Sequence, residues 1–146
     1  MVRVKEIMNK KVLTVQRNLT VHEAALKMAS KNFPYLIVKD RNHYIGIVTE
    51  KDFLKKIIAA GKNPRKLIIE DIMSSPLVTT DELTNIKDAA RLMSKKRIRR
   101  LPVIVDGKLI GVLNTSDFTK RVATSKSYLE LLADSLNYQS LVSYPI

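Results

Sequence analysis

Residues 44–52 read YIGIVTEKD, and residues 109–117, which lie 65 places further along the chain, read LIGVLNTSD. In both segments a short apolar run with one glycine predicts a strand, and the polar residues that follow predict the first turn of a helix. The same shift superimposes the apolar stripe of a preceding helix, Val21-Ala24-Ala25-Met28, on Ile86-Ala89-Ala90-Met93. This agreement indicates an internal duplication, with one extra residue expected before the second strand run of repeat 2 and one fewer in its following turn.

Each repeat predicts the element order β-α-β-β-α. The first helix begins at a capping motif, Thr20-x-x-Glu23 in repeat 1 and Asn85-x-x-Asp88 in repeat 2. The next two strands form a hairpin, with a turn at residues 40–43 in repeat 1 and at Asp106-Gly107 in repeat 2. The predicted strands are 12–15, 35–38 and 44–48, then 77–80, 101–105 and 109–113; the second helices are 50–60, ended by Gly61, and 116 to about 123.

These elements divide the chain into two repeats and two further segments. Two helices cannot cover both faces of a three-stranded sheet. Packing two such sheets together about a pseudo-twofold axis solves this and predicts an α/β (α+β) fold, with one domain built from both repeats. The divisions are repeat 1 (residues 1–61), a linker (62–70), repeat 2 (71–123) and a C-terminal helix and tail (124–146).

The composition limits the classes of function. The chain has no cysteine, which excludes disulfides, thiolate metal sites and thiol nucleophiles. His22 and His43 are far apart and have no acidic cluster around them, so no metal site, catalytic triad or obligatory cofactor is predicted. No apolar run could span a membrane, and the N-terminus has no signal core. We therefore expect a non-catalytic cytoplasmic protein.

The formal net charge is +12, and residues 1–65 supply +9 of it, with 14 Lys and Arg against 5 Asp and Glu. Such a field attracts polyanions, and residues 95–100 (KKRIRR) concentrate it. The alternative function is therefore a basic nucleic-acid-binding or structural dimerisation module. Solvated helix faces explain such charges equally well, and Lys51, Lys55 and Lys56 are interpreted in that way.

The duplicated pattern resembles the CBS-domain family over about residues 1–123, and the pair resembles a Bateman module. The resemblance implies a regulatory module that binds AMP, ADP, ATP or S-adenosylmethionine in the cleft between its repeats and signals to a separate effector protein. It also implies homodimers in which two modules form a flat disc. The residues that carry the resemblance are Asp71-Ile72-Met73, Arg100-Leu101-Pro102-Val103, Asp106-Gly107 and the Gly-φ-φ-x-x-x-Asp segments at 46–52 and 111–117.

The resemblance also implies roles for individual residues. Asp52 and Asp117 are each expected to accept both ribose hydroxyls of a ligand, since a carboxylate offers two acceptor oxygens to a vicinal diol. A Thr or Ser three residues earlier is expected to bond ribose or phosphate. That residue is Thr49 in repeat 1, but Asn114 stands there in repeat 2, where the hydroxyls of Thr115-Ser116 are the substitutes.

Each expected cleft mixes the two repeats. Arg99 falls where a basic residue often meets phosphate, and because a guanidinium holds phosphate oxygens in a fork, a polyphosphate such as ATP is favoured. The Asp117 cleft is expected to use Thr14, Val15, Phe33, Pro34 and Tyr35, and the Asp52 cleft to use Thr79, Thr80, Ile98, Arg99 and Arg100.

The same residues have purely structural interpretations. A polar residue followed at the third place by Asp is also a helix cap with an acidic first turn. Apolar members of the clefts are equally expected in a core, and cations near a helix C-terminus are favoured by the helix dipole. The sequence leaves these alternatives open.

Overall fold

The computed structural model describes residues 1–122, which form a mixed α+β structure. The helix and tail predicted for residues 124–146 lie outside the described residues. Within residues 1–122, no helix combines the length and the apolar character needed to cross a membrane. The elements are α1 (Val4–Ile7), β1 (Thr14–Gln16), α2 (Val21–Lys31), β2 (Tyr35–Asp40), β3 (His43–Thr49), α3 (Glu50–Asp52, continued as a π-helix over Phe53–Ile58), a 3-10 turn (Ile69–Asp71), α4 (Ile86–Lys96), β4 (Arg100–Val105), β5 (Lys108–Asn114) and α5 (Asp117–Val122).

The packed units of the structure differ from the repeats of the sequence. One unit is Val12–Val78, and the other combines Met1–Lys11 with the described residues from Thr79 onward. We call them the first-repeat unit and the second-repeat unit, after the repeat that supplies the hairpin. Each unit therefore takes its hairpin from one repeat and one short segment from the start of the other.

In the first-repeat unit, β2 lies between a parallel neighbour, β1, and an antiparallel neighbour, β3. Ser74 extends this sheet by one rung, since it exchanges backbone hydrogen bonds of 2.9 and 3.1 Å with Ile47 of β3. The helix α2 and the segment around the 3-10 turn pack on the sheet. Its core consists of Val15, Val21, Ala24, Met28, Leu36, Val38, Val48, Ile57, Ile69 and Ile72.

The second-repeat unit repeats this pairing at the same shift of 65. The strands β4 and β5 pair antiparallel, and Asn9 exchanges two hydrogen bonds of 2.9 Å with Val112 of β5, as Ser74 does with Ile47. The predicted strand 77–80 is reduced to one parallel bridge between Thr80 and Val103. Its buried apolar residues include Val4, Ile86, Ala89, Met93, Leu101, Val103, Val112 and Leu113.

Gly46 in β3 and Gly111 in β5 let the segments around Ser74 and Asn9 approach these strands closely. A Cβ on Gly46 would lie 2.6 Å from Met73 Sδ and 2.9 Å from Ser74 O, and a Cβ on Gly111 would lie 2.8 Å from Met8 Sδ and 2.9 Å from Asn9 O. Only glycine leaves room for a neighbouring backbone at this distance.

The prediction of one extra residue before the second strand run of repeat 2 is wrong. The hairpin strands Tyr35–Asp40 and Arg100–Val105 match at a constant shift of 65, and both carry a bulge at the equivalent position. The apolar pattern misled the alignment because the half-buried Arg100 occupies the place of the buried Tyr35.

The predicted turn at residues 40–43 is also shorter than expected. Asp40 and His43 pair as strand residues, which leaves the two-residue loop Arg41-Asn42. Arg41 has a φ of 56°, and in the other hairpin Asp106 and Gly107 have φ values of 49° and 76°. Two-residue hairpin loops need positive φ, because this twist matches that of the strands.

The predicted N-cap residues Thr20 and Asn85 are confirmed, but the acidic residues predicted to cap with them are not. Thr20 accepts a hydrogen bond from Glu23 N at 3.1 Å, and Asn85 accepts one from Lys87 N at 2.9 Å. The bond from Glu23 N is the only half of the capping box predicted at Thr20-x-x-Glu23 that occurs in the described part of the chain, and Asp88, predicted at the cap of α4, pairs with Arg91 at 3.2 Å. The helix after β3 was predicted to run to residue 60, but it ends at Ile58; Gly61, with a φ of 66°, lies at the end of the turn that follows.

Candidate functional site

The junction between β3 and α3 is built around one carboxylate. Thr49 N donates to Asp52 Oδ2 at 2.8 Å, and Thr49 Oγ1 lies 3.4 Å from the same oxygen. The helix cap that the sequence left as an alternative is therefore present. It orients the Asp52 side chain at the strand end.

The junction between β5 and α5 repeats this geometry. Asn114 N donates to Asp117 Oδ2 at 2.7 Å. Among the described residues, Asp117 is the one charged side chain that is buried, with 6% of its surface exposed. Because burying a carboxylate is costly unless its oxygens are bonded, this position requires hydrogen-bond donors.

Two acceptor oxygens at the second junction have no donor among the described residues. Asn114 Oδ1 is buried and has no hydrogen-bond partner there. Asp117 Oδ1 has no hydrogen-bond or ion-pair partner among the side chains described in residues 1–119. A ligand with two adjacent hydroxyl groups would satisfy such acceptors.

A lysine also lies at the first junction. Lys56 Nζ lies 3.1 Å from Asp52 Oδ1 and donates to Ile72 O at 2.7 Å. Lys56 is exposed, as its interpretation as part of a solvated face expected, but its ammonium group also has two partners. Its spacing of four residues from Asp52 on a helix is the sequence signal that would have indicated the pair.

Within each unit, the segment before the second strand lies against the junction of the same repeat. Glu50 N donates to Pro34 O at 3.1 Å, and Thr115 N donates to Arg99 O at 3.0 Å. Arg100 stands opposite Asn114 in the hairpin register. Pro34 therefore lies at the Asp52 junction and Arg99 at the Asp117 junction, whereas the resemblance assigned Pro34 to the Asp117 cleft and Arg99 to the Asp52 cleft.

The remaining predicted residues of the first-repeat unit line its first two strands. Thr14 pairs with Ile37, and Val15 is buried in the core. Phe33 and Tyr35 contact edge to face, with ring centroids 6.3 Å apart. Tyr35 is buried, so only part of this group offers surface to a ligand.

The remaining predicted residues of the second-repeat unit are less buried. Thr79 is exposed, and Thr80 Oγ1 donates to Thr84 Oγ1 at 2.9 Å. Ile98 N donates to Met93 O at 3.0 Å, which ends α4. Ser116 and Arg99 are exposed beside the β5–α5 junction. No cluster of three or more potential metal-ligating side chains occurs in the described part of the chain.

Comparison with protein-family models finds the same domain twice, once in each repeat. The model of the CBS domain matches residues 4–59 and again residues 69–124. Together these two matches span well over half of the chain.

The curated relatives include an uncharacterized protein of Methanopyrus kandleri, which is 40% identical over 118 residues, or 80% of this chain. The chain spans 60% of the length of that relative and 44% of an uncharacterized protein of Methanocaldococcus jannaschii.

Solved structures of similar fold include a putative signal-transduction protein with CBS domains from Burkholderia ambifaria, with a TM-score of 0.77 and 29% identity, covering 86% of this chain and 96% of that one. A hexameric CBS-CP12 protein from bloom-forming cyanobacteria also has a TM-score of 0.77, with 30% identity, covering 97% of this chain and 86% of that one.

Proposed function

The chain belongs to the CBS-domain family as a tandem pair, and on that premise we propose that it is a non-catalytic sensor that binds an adenine nucleotide or another adenosyl ligand. The candidate ligands are AMP, ADP, ATP and S-adenosylmethionine. Binding changes the conformational equilibrium of the module, and a separate effector protein responds to that change.

The observation that carries the proposal is the state of Asp117. Its carboxylate is almost fully buried, and Asn114 N donates to one of its oxygens at 2.7 Å. The neighbouring Asn114 Oδ1 is buried and has no donor in the described part of the chain. Unsatisfied buried acceptors are rare in proteins, and each one calls for an explanation. The vicinal hydroxyls of a ribose supply two donors of the kind these oxygens lack.

The residues have distinct proposed roles. Asp117 and Asp52 accept ribose hydroxyls, and Thr49 or Thr115 contributes a hydroxyl to ribose or phosphate. The candidates for contact with the base are Thr14, Val15, Phe33, Pro34 and Tyr35 of the first-repeat unit, and Thr79, Thr80 and Ile98 of the second-repeat unit. Ser116, Arg99 and Arg100 are the candidates for phosphate, for which Arg has the suitable fork of donors.

Thermal unfolding with each ligand at millimolar concentration and physiological salt tests the proposal. A ligand present at 100 times its Kd stabilises by about 2.7 kcal/mol, which raises Tm by roughly 5–10 °C for a domain of this size. The variant Asp117→Asn keeps an acceptor for Asn114 N but loses one acceptor oxygen, so it should reduce this shift. Asp88→Asn, on the exposed surface of α4, is the matched control.

The absence of any shift with all four ligands would reject adenosyl binding and favour the polyanion alternative. In that case an RNA or DNA oligonucleotide should bind, with an affinity that falls steeply as salt is raised. Replacing the exposed cations among residues 95–100 with neutral residues should weaken binding of the oligonucleotide. Binding of a ribose- and adenine-specific ligand should change little with salt, which separates the two functions.

We also propose that the module is a homodimer, and that the apolar surface of the first-repeat unit contributes to its interface. Leu26, Leu54 and Ile58 are exposed there, the last with 71% of its surface. The same unit has an open depression of about 260 Å³, which is lined by Ala25, Met28, Ala29, Asn32, Phe33, Glu50 and Phe53. The hexameric cyanobacterial relative shows that a protein of this fold forms oligomers.

The mass in solution tests the homodimer. Leu54→Glu and Ile58→Glu should each reduce the dimer fraction in light scattering, because a buried charge at an interface is costly. Leu83→Glu, on the second-repeat unit and 52% exposed, is the control. A monomeric wild-type protein at high micromolar concentration would reject this assignment.

A further inference from the structure

We propose that Lys56 is a specificity-determining residue of the Asp52 site, and that this site takes a nucleotide whose ribose carries a phosphate on its 2′ or 3′ oxygen. The inference rests on the proposed function, which assigns ribose hydroxyls to Asp52, and it names a narrower class of ligand for that site. It concerns contacts within the first-repeat unit.

The Asp52 carboxylate is held in place at the end of β3. Its Oδ2 accepts a hydrogen bond from Thr49 N at 2.8 Å, and only 15% of the side chain is exposed. Because the two oxygens of a carboxylate together offer about four acceptor positions, Asp52 has capacity for a ribose hydroxyl while it keeps its contacts with the protein.

The Lys56 ammonium group is held at two points beside this carboxylate. Nζ lies 3.1 Å from Asp52 Oδ1 and donates to Ile72 O at 2.7 Å. Ile72 is a buried residue of the core and comes from a segment 16 residues away, so its carbonyl is a fixed acceptor. Since the protein has already ordered this long side chain, a ligand that contacts it avoids most of the cost of ordering it.

The ammonium group keeps a donor for a ligand. It has three N–H groups, and its contacts with Asp52 and Ile72 use two of them. The side chain is 42% exposed, so a molecule bound at Asp52 has access to it. Lysine is a frequent phosphate ligand, because its ammonium group acts as a compact point charge.

The two side chains together present an acceptor and a cationic donor 3.1 Å apart. The 2′ and 3′ oxygens of a ribose lie on adjacent carbons, so a hydroxyl on one and a phosphate on the other present a donor and an anion at a similarly short spacing. A phosphate at this place forms a charge-assisted hydrogen bond with Lys56, which is stronger than the bond that a neutral hydroxyl would make. In dinucleotide-binding proteins a basic side chain near the ribose likewise accommodates a 2′-phosphate.

The charges around Asp52 allow an anion to approach. Lys56 offsets the charge of the carboxylate, and the same helix carries the exposed cations Lys51 and Lys55 against one exposed acid, Glu50. The local field is therefore positive, as phosphate binding requires.

Isothermal titration calorimetry with adenosine, adenosine 2′-monophosphate and adenosine 3′-monophosphate tests the proposal. At least one of the two monophosphates should bind the wild-type protein about tenfold more tightly than adenosine, the effect expected of one partly exposed charged hydrogen bond. Lys56→Met keeps an apolar stem and removes the ammonium group, so it should abolish this preference. The ratio of the two affinities is the readout, because any effect of Lys56 on the shared adenosine part cancels in it.

Lys55→Met is the matched control, since it removes the same charge from the adjacent, exposed position. It should retain the preference, which separates a specific contact from general attraction of phosphate to a basic protein. Melting curves establish that each variant is folded, and Lys56→Gln replaces Lys56→Met if the latter is not.

Two failures are distinguishable. If the wild-type protein binds adenosine or AMP but prefers neither monophosphate, or if Lys56→Met and Lys55→Met show the same preference, the role of Lys56 is overturned and the proposed function stands. Failure of the wild-type protein to bind adenosine, either monophosphate, AMP, ADP, ATP or S-adenosylmethionine overturns the proposed function, and the role of Lys56 with it.

Discussion

Replacement of Gly46 by alanine is the sharpest test of the exchanged segments. The new Cβ would lie 2.9 Å from the backbone oxygen of Ser74, whereas ordinary contacts begin near 3.4 Å. The Ser74 backbone must therefore move by about 0.5 Å. That movement loosens the two hydrogen bonds, 2.9 and 3.1 Å long, that join Ser74 to Ile47.

The expected cost follows from these contacts. Overpacking of a tight site costs about 1–3 kcal/mol, and two weakened backbone hydrogen bonds add roughly 1 kcal/mol. Gly46→Ala should thus destabilise by about 3 kcal/mol, or roughly 6–12 °C in Tm. Gly61→Ala meets nothing within 4 Å and pays only for its φ of 66°, so it should cost about 1 kcal/mol.

A double-mutant cycle connects the effect to the segment responsible. Met73→Ala removes the Sδ atom that lies 2.6 Å from the new Cβ, so it should reduce the cost of Gly46→Ala. Met8 packs on Gly111 instead, so Met8→Ala should not change that cost. Urea unfolding measures both. Coupling of Gly46 to Met8 rather than to Met73 would refute the exchange of segments between the repeats.

Three further predictions concern stability. Arg97 ends α4 in a left-handed conformation with a φ of 55°, so Arg97→Gly should stabilise by about 0.5–1 kcal/mol, whereas Asn32→Gly at the equivalent position should change little; a lower Tm for Arg97→Gly would contradict this. Asn85→Ala removes the cap of α4 and should cost about 1 kcal/mol in urea unfolding, and an unchanged midpoint would reject the cap. Leu36→Ala empties a fully buried position of the first-repeat core and should cost about 2–5 kcal/mol; a loss below 1 kcal/mol would show that this core is not packed as described.

Several features of the fold were predictable because local patterns encode them. The stripe of Val21, Ala24 and Met28 marked the buried face of α2, and Thr20 marked its start. The strand–helix junctions were equally clear, since an apolar run followed by a polar residue and aspartate specifies a strand end and an acidic helix cap. Local pattern thus located Thr49, Asp52, Asn114 and Asp117 at the strand–helix junctions, and the family resemblance made them candidates for a ligand site.

Other features could not be read from local pattern, because they depend on contacts between distant residues. The turn after β2 was predicted to be longer than it is, because polarity alone does not distinguish a paired strand end from a loop residue. The two contacts of the Lys56 ammonium group were missed for a similar reason. Its contact with Asp52 follows a helical spacing, but its second partner, Ile72 O, comes from a segment 16 residues away.

The sequence by itself determined the duplication, the order of elements in each repeat and the position of one carboxylate at each strand–helix junction, because these depend on periodicity, caps and short spacings. Only the tertiary structure decided which segment packs on which hairpin. It placed Met73-Ser74 on Gly46 and Met8-Asn9 on Gly111, it buried Asp117, and it brought Lys56 Nζ within 3.1 Å of Asp52 Oδ1. The physical reason is that close approach and burial depend on neighbours that the folded chain brings together. Two segments of similar sequence cannot reveal those neighbours.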